Sequence, residues 1–316
     1  MKIGVIGLGD IAEKAHLPVL TQLAGVELVF CTRNPERLKY LAEKFRISEY
    51  YTDYKDLVKA GVDAVMIHSA TSSHFEIARF FLDIGMPVFV DKPLASTYQE
   101  CEQLHDLAEQ KQQPLFVGFN RRYIPLYQAH LPSVTAPASP DVPLLSLRWE
   151  KNRYDLTSET RTFIFDDFIH PLDSTNIHGS ISADDLFITS QFDSTAKDET
   201  KLARLDVQWQ QGGTLFHASM NRLNGITNEV ISATYRNLTY RFNSFVEGNK
   251  WQGNRHEIVK LADWTPMLAS KGFYGMAEHW LDVIKTGKQA HDVTQRNLHS
   301  HYLAESVYQK VVASNV

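Results

Sequence analysis

The chain has 316 residues, 32 Lys and Arg against 37 Asp and Glu for a net charge of −5, and is 43% hydrophobic and 22% charged. That length and balance fit one large or two ordinary globular domains, and the acidic excess argues against nucleic acid or an anionic membrane as partner. No apolar run reaches the ~18 residues of a membrane span and no signal peptide is recognisable, so the expectation is a cytoplasmic protein whose Cys31 and Cys101 are buried thiols.

Ile3, Val5 and Ile6 predict a short buried strand, followed by Gly7-Leu8-Gly9-Asp10-Ile11-Ala12 and a helical pattern from Ala12. Strand, glycine turn and helix are the context a dinucleotide loop requires. Gly7 permits the tight turn, Gly9 lets backbone approach a pyrophosphate, and a small residue at Ala12 lets helix pack on strand. The helix N-terminus offers free N–H groups and a positive dipole end to the phosphates.

Strand and helix patterns then alternate as a parallel sheet with crossover helices demands. Val26 to Cys31 reads as a strand, with Asn34 and Pro35 capping a helix on Leu38, Leu41 and Phe45. A short strand near Tyr50 and Tyr51 and a clearer one from Ala64 to His68 follow. Ser73 and Glu76 have the spacing of a capping box for a helix ended by Gly85, and Thr97 with Glu100 has the same spacing. Pro87 to Val90 and Leu115 to Gly118 complete the strands. The fold class is α/β: a Rossmann domain over 1–120, then an α+β domain over 121–316 whose last helices are free to pack back on the first. At the end of the second strand stand Thr32 and Arg33, with no carboxylate before Glu36. A hydroxyl and a guanidinium suit a ribose 2′-phosphate, which favours NADP, with NAD as the alternative.

Several motifs together resemble the Gfo/Idh/MocA oxidoreductases, the relatives of glucose–fructose oxidoreductase and inositol dehydrogenase. They are the glycine loop followed by His16-Leu17-Pro18, Ser69 and His74 at the fourth strand end, Asp91-Lys92-Pro93, and Gly118-Phe119-Asn120-Arg121-Arg122-Tyr123. Asp-Lys-Pro in place of Glu-Lys-Pro is the form of the MviM-like subgroup. The resemblance implies that Gly7, Gly9, Asp10, Ile11, Ala12, Thr32, Arg33, Ser69, His74, Asp91 and Lys92 serve the cofactor. It also implies that Lys92 contacts substrate at the nicotinamide end and stabilises alkoxide character as hydride leaves carbon. The Lys-Pro bond is often cis in such proteins. Asn120 and Arg122 either line the substrate or form an ion-paired hinge.

Residues 131–143, with four prolines, predict an extended connector. Alternating patterns follow at Leu145 to Trp149, in a hairpin of Leu205 to Trp209 with Leu215 to Ala218, and in a second of Val230 to Tyr235 with Leu238 to Phe245. They predict an open, mostly antiparallel sheet, and the resemblance implies that this sheet makes a homo-oligomer, a dimer or tetramer. Phe273 to Ile284 predicts an amphipathic helix, and a last helix starts near Thr294.

Asp166, His170 and Asp173 are spaced i, i+4 and i+7, which on a helix puts all three on one face. The family's pattern is Asp-x-x-x-His-x-x-Asp, and the resemblance makes His170 the base that takes a hydroxyl proton. Asp166 would hold substrate or orient His170. Asp173 either contacts substrate or pairs within the fold. Asp167 stands where the family usually has glycine, and Pro171 fits a helix only if that helix begins just before it. Lys151 and Arg153 are either substrate contacts or surface residues. His299 and His301 read as helix surface, His217 and His256 as packing or hydrogen-bonded residues, and no metal site is expected. The expected activity is NAD(P)-dependent oxidation of a secondary hydroxyl on a small sugar, polyol, cyclitol or derivative. The alternatives are a nucleotide-binding regulatory protein and an imine or enone reductase.

Overall fold

The computed structural model describes residues 1–131, 143–193 and 201–314. The chain divides into two compact units, Met1–Asn120 with Phe273–Thr294, and Arg121–Gly272 with Gln295–Val316.

In the first unit, β1 (Lys2–Ile6), β2 (Glu27–Cys31), β3 (Tyr50–Tyr51), β4 (Ala64–Ile67), β5 (Val88–Val90) and β6 (Leu115–Val117) form one sheet in the order β3-β2-β1-β4-β5-β6. All its pairings are parallel. Strands β4 and β5 and the edge strand β6 are apolar and buried throughout, as strands covered on both faces must be. Strand order reverses between β1 and β4, so their carboxyl ends flank the crevice where such sheets bind ligands.

Helix Pro35–Phe45 starts as its sequence predicts, with Asn34 accepting from the Arg37 N–H and Pro35 in the first turn. Thr97 and Glu100 make a full capping box for helix Tyr98–Lys111. Ser73 does not cap the helix His74–Asp83. Its hydroxyl is 2.7 Å from Ser69 Oγ and donates to the Ala70 carbonyl, while Glu76 accepts from Tyr54 Oη. Tertiary partners have taken both halves of the expected box. After the glycine loop, Ala12–His16 is a π-helical turn that becomes α-helical only at Leu17. Helix Phe273–Thr286 also belongs to this unit, with Trp280 packed beside Phe89 and Phe116. Cys31 and Cys101 are buried and not disulfide-bonded.

The second unit is a nine-stranded sheet of β7 (Leu144–Asn152), β8 (Ser158–Glu159), β9 (Phe187–Phe192), β10 (Lys201–Gln211), β11 (Thr214–Asn221), β12 (Asn228–Tyr235), β13 (Leu238–Phe242), β14 (Glu247–Gln252) and β15 (Arg255–Lys260). The order is β15-β14-β13-β12-β7-β11-β10-β8, with β9 also on β10. Only β7 and β11 pair in parallel among the described strands; the other pairings are antiparallel. Both predicted hairpins form, and Asn237 at the second turn takes the left-handed conformation that turn demands. The last helix begins at His291, three residues before Thr294. His301 lies on its inner face, fully buried and bonded through Nδ1 to the Asn297 carbonyl oxygen, contrary to the expectation of a surface position. The connector read at 131–143 falls largely outside the described residues.

Candidate functional site

In the first unit a cavity of about 520 Å³ opens at the carboxyl ends of β1, β2 and β4. Gly7, Gly9 and Asp10 line it from the glycine loop, Thr32 and Arg33 from the end of β2, and Ser69 from the end of β4. Gly7 has φ +86°, and a Cβ there would come under 3.0 Å from the Ser69 backbone, so the loop packs directly on the neighbouring strand end. Gly9 faces open space, with nothing within 4 Å of a Cβ built on it. Its bare backbone is therefore presented to the cavity. The size and the donor set fit a dinucleotide: a loop that lets phosphate approach, then a hydroxyl and guanidinium at the ribose end. Ala12 is fully buried beneath the loop, the packing role its size predicts, whereas Ile11 is exposed and does not line the cavity.

Sequence reasoning missed several lining residues: Arg37, Thr52, Tyr54, His68, Ser73 and Glu76. Arg37 had a readable signal, since it sits in the first turn of a helix that starts beside Arg33. It donates from Nε to the Leu8 carbonyl at 3.0 Å and pairs with Glu13, which also holds Lys44 at 2.6 Å.

The Asp91-Lys92-Pro93 motif follows β5, with the Lys92–Pro93 peptide cis. Asp91 and His74 are not among the residues that line the cavity. The His74 ring is buried, with Nδ1 2.9 Å from the Pro93 carbonyl oxygen and Nε2 2.9 Å from that of Ser69. It ties the end of β4 to the motif. Asp91 Oδ1 accepts from the Lys92 N–H at 2.8 Å, and Oδ2 faces His16 Nε2 at 3.5 Å and His68 Nδ1 at 3.7 Å. Burial works against the Asp91 charge, but the two imidazoles outweigh it and hold the carboxyl well below its usual range. Burial, with His16 alongside, pulls His68 down to about 4.

In the second unit, a helical segment runs from Thr160 to Thr175, π-helical over Phe163–Phe168 and α-helical over Ile169–Thr175. Pro171 therefore lies well inside it. Pro171 has no N–H for the carbonyl four residues back, that of Asp167, and Lys151 Nζ lies 3.4 Å from that oxygen. The Ile169 N–H reaches back five residues to Ile164. Across this wider turn Asp166 is exposed, while Asp167, His170 and Asp173 are buried.

Asp167 anchors the turn. It pairs with Lys151, accepts from Arg153 Nε and Nη2 at 2.9 Å each, and accepts from Arg222 Nη2 at 3.0 Å. Burial opposes its charge, but Lys151 and Arg153 more than compensate and hold it far below the usual carboxylate range. Lys151, 1% exposed, is thus a buried counter-ion between Asp167 and Glu229 and presents no ammonium to a ligand. Asp173 is held by Arg122 from two nitrogens and by Ser300 Oγ at 2.7 Å. Of the alternatives open for Arg122 and Asp173, the ion pair is the one that forms. Asn120 is buried at the start of a 3-10 turn after β6. His217 bonds to Asp206 and His256 to Asn249, the hydrogen-bonded roles expected of them.

The cavity and its parallel sheet have the form of a dinucleotide-binding Rossmann domain. Residues 1–119 match the family model described as "Oxidoreductase family, NAD-binding Rossmann fold", GFO_IDH_MocA. The crystal structure of a Gfo/Idh/MocA family oxidoreductase from Vibrio cholerae superposes with a TM-score of 0.95 at 53% identity, covering 100% of this chain and 99% of that one. YceM of Salmonella typhimurium is 30% identical over 330 residues, 99% of each chain. The inositol 2-dehydrogenase of the same organism is 32% identical over 128 residues, 39% of this chain and 38% of its own. The chain belongs to the Gfo/Idh/MocA family of oxidoreductases.

Proposed function

We propose that the protein is an NADP-preferring dehydrogenase that oxidises a secondary hydroxyl of a polyol, sugar, cyclitol or related small molecule. The observation that carries this reading is the ribose end of the cavity, lined by Thr32 and Arg33 at the end of β2 and by Arg37 in the first turn of the next helix. The Arg33 guanidinium and a hydroxyl complement a 2′-phosphate dianion, with Arg37, already paired to Glu13, beside them. The partial likeness to an inositol dehydrogenase supports a polyol-like substrate.

When bound, the nicotinamide supplies the hydride acceptor. This chain's residues handle the proton. His170, buried on its helix, takes the hydroxyl proton as general base. Lys92 donates a hydrogen bond to a substrate oxygen and stabilises its developing negative charge. Asp166 orients the substrate for His170.

Calorimetry with NADP and NAD, followed by an absorbance screen for reduced nicotinamide over polyols and sugars, tests the reading. NADP should bind at least ten-fold more tightly, a difference of about 1.4 kcal/mol. Lys92→Ala and His170→Ala should each abolish turnover and leave nucleotide binding intact. Near-wild-type activity in either variant overturns its assigned role. Tight binding with no turnover across the panel overturns the dehydrogenase reading in favour of a regulatory one.

A further inference from the structure

Three residues that the proposed chemistry does not use converge beneath the motif lysine. His16 comes from the π-helical turn after the glycine loop, His68 from the end of β4 and Asp91 from the end of β5. One ligand atom of each lies within 4.8 Å of the other two. The His16 side chain is 4% exposed, that of His68 is not exposed at all, and that of Asp91 is 13% exposed.

The spacing is unusual for groups that bond to one another. Asp91 Oδ2 stands 3.5 Å from His16 Nε2 and 3.7 Å from His68 Nδ1, and neither nitrogen has a hydrogen-bond partner. Buried imidazole nitrogens are costly to leave unsatisfied. A tetrahedral zinc ion with bonds of about 2.0–2.1 Å sets its ligand atoms about 3.3 Å apart, close to the separations here. Two imidazoles and one carboxylate are also a donor set that binds zinc-type cations, with a fourth position left for water.

We propose that His16, His68 and Asp91 form a binding site for a divalent transition-metal ion of the zinc type. The ion joins three elements of the nucleotide unit: the first helical turn, the end of β4 and the end of β5. It satisfies His16 Nε2 and His68 Nδ1 and neutralises the Asp91 carboxylate. Asp91 Oδ1 remains free to hold the Lys92 N–H, so the metal fixes the backbone from which Lys92 projects. The residue expected to serve the cofactor is, on this assignment, a metal ligand, and the shorter Asp in place of Glu leaves room for the ion.

The test uses the full chain without a polyhistidine tag and needs no substrate. Protein from zinc-supplemented medium is dialysed and its metal counted by mass spectrometry. About one zinc per chain is expected, and cobalt(II) put in its place should show the visible absorption of a four-coordinate ion. His16→Gln and Asp91→Asn should each reduce the content from about one ion to none while circular dichroism stays native. Zinc X-ray absorption on the unmutated protein should show imidazole and oxygen scatterers without sulfur, a readout independent of variant folding. A native protein that binds NADP but takes up neither zinc nor cobalt overturns the assignment. So does an ion that persists in both folded variants, or a zinc shell lacking imidazole. NADP affinity in the same preparation reports separately on the proposed function.

Discussion

The Arg37 guanidinium reaches from its own helix to the Leu8 carbonyl, 3.0 Å away, and so holds the glycine loop from behind. Its Nη2 is paired with Glu13 in the π-helical turn, and Glu13 is braced in turn by Lys44. The glycine loop is thus fixed by a side chain that also lines the cavity. Arg37→Ala removes a charge-assisted bond and an ion pair from both tasks. Calorimetry should show NADP and NAD both weakened about ten-fold, about 1.4 kcal/mol, with a further loss for NADP. An unchanged affinity for NAD would show that the loop needs no such support.

Gly7 and Gly9 separate packing from binding. Alanine at Gly7 meets the Ser69 backbone at a φ of +86°, so it strains the strand end as well as the loop. Gly7→Ala should cost about 1–3 kcal/mol in denaturant unfolding and also abolish nucleotide binding. Alanine at Gly9 meets nothing in the protein. Gly9→Ala should melt with the wild type yet bind NADP at least ten-fold more weakly, because its methyl group occupies the approach of the phosphates. Equal loss of stability in the two variants would contradict this division.

The buried ion pairs of the second unit make acid lability a specific expectation. Burial opposes the charge of Glu229, but Arg121 and Lys151 outweigh it and hold the carboxyl at about 2 against an ordinary 4.5. A carboxylate lowered on folding stabilises above its unfolded value, and that contribution disappears as pH falls from 4.5 toward 2. The difference corresponds to about 3 kcal/mol. Urea unfolding across pH 3 to 7 should therefore show a steep acid loss that is shallower in Glu229→Gln. The variant should also be less stable at pH 7, because Arg121 and Lys151 lose a buried partner. Parallel pH profiles for the two proteins would assign the acid loss to other carboxylates.

What the sequence made legible was what short spans of chain decide. The apolar runs of β4 and β5, the caps at Asn34 and Thr97, and the turn at Asn237 depend on neighbours within a few positions, and all form. Ser73 and Glu76 had the same capping pattern, but Ser69 and Tyr54 supply competing partners that no spacing rule includes. The π-helical turn that carries Asp166 was hidden for a related reason. Regular helical spacing does not anticipate a π-helical turn, and Lys151, which meets the carbonyl left by Pro171, comes from β7. The glycine loop was readable because its chemistry is local. The grouping of His16, His68 and Asp91 was hidden because sheet order brings together three distant segments.

Asp173 lies in the family's Asp-x-x-x-His-x-x-Asp pattern, yet its geometry is that of a fold-stabilising anion. Its side chain is 1% exposed, both oxygens accept from Arg122, and Ser300 Oγ adds a third bond. Burial works against its charge, but Arg122 and Arg296 prevail and hold it below the usual carboxylate range. Asp173→Asn keeps the shape and removes the charge, leaving Arg122 buried without its partner. The expected cost is about 3–5 kcal/mol in denaturant unfolding, with NADP affinity unchanged wherever the variant remains folded. Arg122→Met with Asp173→Leu removes both charges at once and should recover part of that loss, since an apolar pair has no unpaired ion to bury. A substrate contact would behave in the opposite way: Asp173→Asn would fold as stably as the wild type and lose turnover, and the double variant would recover nothing.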